Sequence, residues 1–163
     1  MTVKSDQMGG RHRNNSLVEE GARYLLLSEI VDKRVQTQTG TKIGKLKDFV
    51  FKDDPHYAEV TSLVVGRSLG RPSLVVPWSK VVDVGKEKTI VQDPPEGQYP
   101  EIKDEEDQLL LRDKVLDKRI LDIKGFDVEV VYDLQLLLVE GKLFITGADV
   151  SRHALMRRLG LGS

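Results

Sequence analysis

Apolar residues recur at mostly alternate positions from Ile43 to Phe51, in a stretch rich in β-forming side chains, which predicts a strand buried on one face. Glu59 to Val65 reads as a second strand with a continuous apolar end. Leu74 to Val76, Ser79 to Val84 and Thr89 to Val91 read as further short strands, separated by turns at Ser68 to Pro72 and at Gly85. Pro77 cannot donate to a ladder and belongs at a strand end or edge. Ahead of them, Ser28 is placed to cap a single helical turn through Glu29 and Ile30. A strand at Val35 and a turn centred on Gly40 follow, the glycine permitting a positive φ. Gly44 inside the next strand predicts a bulge or sharp coil. Many short strands joined by regular turns predict a small closed or nearly closed barrel.

The opening of this pattern returns later in the chain. Shifted by 85 positions, Asp32, Lys33, Arg34, Gly40 and Asp48 meet Asp117, Lys118, Arg119, Gly125 and Asp133, while Val35, Ile43 and Leu46 meet Ile120, Val128 and Val131. Five identities in 17 ungapped positions exceed the about one expected by chance. The pattern therefore predicts a mainly β chain of two small related units, with short helical turns, each with a modest core. Residues 1–23 are polar and without period, and read as a disordered tail. Residues 24–92 form the first unit, and residues 108–163 a second that is either incomplete or closed differently. Between them, 93–107 is rich in Pro and acids and is expected to stay extended and to separate the units.

The second unit departs from the first after Asp133. Leu134 to Val139 and Lys142 to Gly147 read as a hairpin around Glu140 and Gly141, and Ser151 then caps a short helix ending near Gly160. On that helix Leu155 and Leu159 make a buried stripe, and Arg152, His153, Arg157 and Arg158 point mostly outward as the chain's one compact basic patch. Nothing matching Val75 to Val84 follows before Ser163, so the second unit is expected to be completed by something outside this chain or closed differently.

Charge adds little. The 163 residues hold 25 Lys+Arg against 26 Asp+Glu, a net charge of -1, which supplies no global attraction for nucleic acid. Zero cysteines exclude disulfides and thiolate chemistry. No apolar run is long enough for a membrane span and no signal peptide is read at the start, so a cytoplasmic location is expected. His12, His56 and His153 lie in a tail, a turn and a helix, without metal-ligand spacing. Asp53, Asp54 and His56 lack the alternating ligands of a Ca²⁺ loop and read as a solvated turn. Gly66 to Gly70 has neither the Lys-Ser/Thr nor the following helix of a phosphate loop. Asp48 and Asp133 share one position in both copies, which favours a structural demand, such as accepting backbone N–H groups at a bulge, over catalysis. Trp78, the only Trp, either plugs a barrel mouth or anchors a partner.

The order SEIVDKRV, TGTKIGKLKDFVF, EVTSLVVG and LVVPWSKV resembles the PRC-barrel domain over Tyr24 to Val91. The second copy, with LLLRDKVLDKRI and GADVSRHALMRRLG, is similar to the second barrel that precedes the intracellular and CBS domains of MgtE-type magnesium transporters. That resemblance implies a non-catalytic adaptor or regulatory module, with no cofactor or metal of its own. Its expected partner is a protein, a C-terminal continuation of MgtE or CBS type, or a second copy in a homodimer. Trp78, Arg152, His153, Arg157 and Arg158 are the candidate contact residues, and Gly40, Asp48, Gly125 and Asp133 the structural repeat positions. The alternative is a ribonucleoprotein role like that of the RimM ribosome maturation factors, which also carry a PRC barrel.

Overall fold

The computed structural model describes residues 21–159 apart from 53, 55–56, 103–109 and 122–127. The expectations for the tail at 1–20, for Asp53 and His56, and for Gly125 lie outside the described residues. The chain is mainly β. In order it forms β1 (Arg23–Leu26), the single turn α1 (Leu27–Ile30), β2 (Arg34–Thr37), β3 (Lys42–Lys52), β4 (Ala58–Gly66) and β5 (Leu74–Pro77). A 3₁₀ turn (Trp78–Lys80), β6 (Val81–Val84) and β7 (Lys88–Val91) follow. The second half contributes α2 (Leu111–Val115), β8 (Arg119–Leu121), β9 (Val128–Val130), β10 (Asp133–Val139), β11 (Lys142–Asp149) and α3 (Arg152–Arg158).

Among the described residues one sheet runs β1-β10-β11-β4-β3-β2-β7-β6, with β5 on the far end of β4, and β8 and β9 form a separate ribbon. The sheet curls into a half-barrel until its two ends meet. There the Arg23 guanidinium on β1 donates to the Asp83 carboxylate at 2.8 Å and to the Val84 carbonyl, both on β6. Alternate residues point inward, and instead of two modest cores the described residues share a single one. Leu27, Phe49, Leu63 and Val76 from the first half pack in one cluster with Leu111, Leu134, Leu136 and Leu143 from the second. Burying both faces' apolar side chains together removes more surface from water than two separate small cores.

The β3–β4 hairpin is the spine of this sheet, and Gly44 shows why its backbones approach so closely. A Cβ there would stand 2.3 Å from the Gly66 carbonyl oxygen and 2.7 Å from a Val65 methyl. The bulge expected at Gly44 is present on β3: Val35 pairs with Gly44 and Gln36 with Lys42, which leaves Ile43 as the extra residue. Gly44→Ala is expected to lower stability by about 2 kcal/mol in urea unfolding, because β3 and β4 must part to admit the methyl group. Gly40 has φ 92 and donates its N–H to the Thr37 carbonyl, the left-handed turn anticipated for it.

Three local readings change here, and one holds. The stretch Arg23–Leu26, which carries no clear alternation, becomes a strand by pairing with β10 in the register Tyr24↔Leu137 and Leu25↔Leu136. Ser28 does not cap α1, since Leu26 is the N-cap and makes no side-chain cap bond; the carboxylate of Asp133 fills that role from the other half of the chain. On α3 the buried residue is Ala154, whereas Leu159 is exposed, because the short helix turns its small residue onto β10. Ser151 does cap it, accepting the Ala154 N–H at 3.2 Å.

The acidic stretch, finally, is no free spacer over its described part. Tyr99 is only 4% exposed and its hydroxyl donates to the Gln92 carbonyl at 2.6 Å. Val75 N–H donates to Pro100, and Ile102 N–H donates to Ser73, so 100–102 cover an edge of β5. One buried aromatic ring and two backbone hydrogen bonds outweigh the self-repulsion of its charges.

Candidate protein interaction surface

Asp48 and Asp133 are buried, and both accept backbone N–H groups. Asp48 Oδ1 takes the N–H of Phe49 at 2.7 Å and that of Arg112, in the first turn of α2, at 3.0 Å. Asp133 Oδ1 takes the N–H of Leu134 at 2.9 Å and that of Ser28, in α1, at 3.0 Å, while Oδ2 accepts the Ser28 hydroxyl. Each carboxylate therefore caps the opening helix of the opposite half, where helix-end N–H groups would otherwise be buried without acceptors. The turns that follow match as well. Asp32 (φ 64) and Asp117 (φ 59) are both left-handed, and donate their N–H to Leu46 and Val131 respectively. Leu46 and Val131 return N–H bonds to Lys33 and Lys118. These atoms are fully engaged in holding the fold.

Trp78 sits half-buried on the 3₁₀ turn, packs against the core and donates its indole N–H to the Gly141 carbonyl at 2.7 Å. It thus stitches the end of β5 to the β10–β11 turn, where Glu140 and Gly141 both have positive φ as the predicted hairpin requires. Trp78→Ala is expected to cost about 2 kcal/mol, less than a fully buried aromatic, and to loosen this seam, which hydrogen exchange of the β10–β11 turn would register.

The outward face of β1, β10, β11 and β4 carries a feature that the sequence reading missed. Tyr24, Leu137, Phe144 and Glu59 are successive cross-strand neighbours on one side of the sheet. Tyr57 sets its ring edge-on to Phe144, with centroids 6.1 Å apart and planes at 72°. Tyr24 is 67% and Tyr57 65% exposed. Tyr57, Leu137, Phe144, Ile145 and Thr146 line a shallow, mainly apolar groove of about 400 Å³. The signal lay in Leu136–Val139, whose unbroken apolar run puts Leu137 on the side where alternation calls for a polar residue. Lys142 and Glu59 form an ion pair of 3.4 Å at the rim. Large aromatic residues ringed by charges are the usual anatomy of a protein contact.

A second surface, at the other end of β3 and β4, is basic. A groove of about 580 Å³ over the Gly44 and Gly66 backbones is lined by Lys42, Lys45, Lys47, Arg67 and Arg71, with Asp32 at its edge. The Arg67 side chain is only 6% exposed and is fixed by the Pro72 carbonyl and the Glu101 carboxylate. The hydrogen bond from Arg67 holds the Glu101 carboxyl below its ordinary value, and that from Thr39 does the same for Asp93. Both folded-state values lie below the unfolded ones, so their contribution is complete above the normal carboxylate range and vanishes as pH falls through it. Urea stability is therefore expected to decline with acidification below about pH 4.5, and Glu101→Gln to flatten part of that decline.

On α3, Arg152 and His153 are exposed, as expected, while the side chains of Arg157 and Arg158 lie outside the described set. Among the described residues no group of three His, Asp or Glu side chains is placed to hold a metal ion, and no helix is long and apolar enough to cross a membrane. No curated protein matches the chain. The PRC-barrel domain family matches residues 23–98, the span that supplies β1 to β7. The six short strands of β2 to β7, the Gly40 turn and the Pro77–Trp78 corner thus belong to a PRC-barrel domain.

Proposed function

We propose that this chain is a non-catalytic docking module in which a PRC-barrel unit has been duplicated, and that its outward aromatic ladder binds a protein partner. The observation that carries the reading is the row Tyr24, Leu137 and Phe144 with Tyr57 against it, an exposed apolar surface on a sheet whose inward face is already filled. The duplication is supported by the hydrogen bonds that recur 85 positions apart, from Asp32 to Leu46 and from Asp117 to Val131. By resemblance of the second half, the partner or continuation is the regulatory part of an MgtE-type magnesium transporter, on the cytoplasmic side of the membrane. Capture from a lysate of the native cells, followed by identification of the bound protein, tests this. A partner retained by the wild type and lost with Phe144→Asp supports it, and equal retention by both rejects it.

A second reading, a RimM-like role in ribonucleoprotein assembly, is favoured by the basic groove beside Gly44 and Gly66. Exposed Lys42, Lys45 and Lys47 neutralise phosphates in that reading, so RNA affinity falls steeply with salt and with the triple change of these lysines to Ala. Affinity that ignores salt removes it.

A further inference from the structure

The β8–β9 ribbon repeats the register of β2 and β3. Arg34↔Lys45 and Val35↔Gly44 return, 85 positions on, as Arg119↔Val130 and Ile120↔Glu129. The other edge of β2 is occupied by β7, which runs parallel in the register Arg34↔Lys88, Val35↔Thr89 and Gln36↔Ile90. On the other edge of β8 no strand is found among the described residues. The consequence is visible in burial, since Val35 is 0% exposed and its counterpart Ile120 is 38% exposed.

We infer that the free edge of β8 receives one extended segment of a protein partner, running parallel to it in the register that β7 takes on β2. This rests on the docking reading above and names the form its partner takes at this site. The first half displays the required chemistry. In β7 the buried residues are Thr89 and Val91, both β-branched, alternating with residues that face outward or are partly covered. The Thr89 hydroxyl is buried with no hydrogen-bond partner, so nothing at that position demands a polar atom, and valine or isoleucine fits equally. Lys118 and Arg119 are exposed at the start of β8 and favour a carboxylate on the incoming strand where β7 has Lys88. Backbone hydrogen bonds supply the affinity, and the alternating β-branched side chains supply the register.

The test uses the full chain, labelled with ¹⁵N, and a synthetic peptide of residues 86–93 in which Lys88 is replaced by Glu. Amide shifts confined to 118–121 and 128–130, with binding at least tenfold weaker for Ile120→Lys, are expected. On the unaltered protein, a peptide with Pro in place of Thr89, whose N–H faces β2 in the first half, is expected not to bind, which separates lost pairing from a misfolded variant. A nitroxide on the peptide's N-terminus is expected to broaden Lys118 and Arg119 more than Leu121. No shift at these residues, binding unchanged by the proline, or broadening strongest at Leu121 overturns the inference. So does concentration-dependent shifting of the same amides without peptide, which marks β8 as pairing with a second copy. Failure here leaves the Phe144→Asp capture result standing, because that experiment reads a different face.

Discussion

Asp133→Ala is expected to lower the free energy of unfolding by about 3 kcal/mol, because it withdraws an acceptor from three donors at once. The Ser28 and Leu134 N–H groups and the Ser28 hydroxyl all end on this carboxylate. Loss of a helix cap alone costs about 1 kcal/mol, and buried donors left without acceptors add their own desolvation cost. Asp48→Ala is expected to do comparable damage through Arg112 and Phe49. The Asn variants, which keep one carbonyl acceptor in place, should lose less than half as much. Urea unfolding followed by circular dichroism gives the energies, and hydrogen exchange at Ser28 and Arg112 locates them. Each substitution should expose the amide in the opposite half of the chain. A cost below about 1 kcal/mol, or deprotection confined to the half that carries the change, contradicts this role.

Phe144→Asp is expected to weaken partner binding at least a hundredfold while leaving folding nearly intact. Phe144 is the centre of the ladder, flanked by Leu137 across one strand pairing and touched edge-on by Tyr57. A central aromatic anchor of a protein interface is typically worth 2 kcal/mol or more on truncation, and a carboxylate in its place adds a desolvation cost. The side chain lies on the outer face, so the core of Leu136 and Leu143 remains packed beneath it. Isothermal titration with the captured partner measures the first effect, and thermal unfolding the second. Binding that survives with its affinity within threefold excludes the ladder as the contact.

Much of the first half could be read from its residues. Alternation from Ile43 to Phe51 and the turns at Gly40 and Pro77 produce strands close to β3, β2 and β5, since each depends on local backbone preference and one-sided burial. What depended on distant partners was not legible. Arg23–Leu26 is a strand only because β10 lies beside it, and Ser28 takes its cap from Asp133 rather than giving one. Composition marked 93–107 as a spacer, yet Tyr99 inserts into the core, because one ring's burial is not visible in a count of charges. For the surface, Trp78 was singled out and proves to be a seam residue, while Tyr57 and Phe144 passed unnoticed. Their proximity arises from the β11–β4 pairing, which joins two halves far apart in sequence.

The central structural claim is that the two halves interlock, each giving its opening strand or helix to the other. A cleavage site for a specific protease, inserted between Glu105 and Glu106, tests it most directly. After complete cleavage, the two fragments should elute together at the volume of the intact chain and unfold in one cooperative transition whose midpoint depends on concentration. Fragments that separate on gel filtration under native conditions, with residues 1–105 keeping the unfolding curve of the whole, would contradict it.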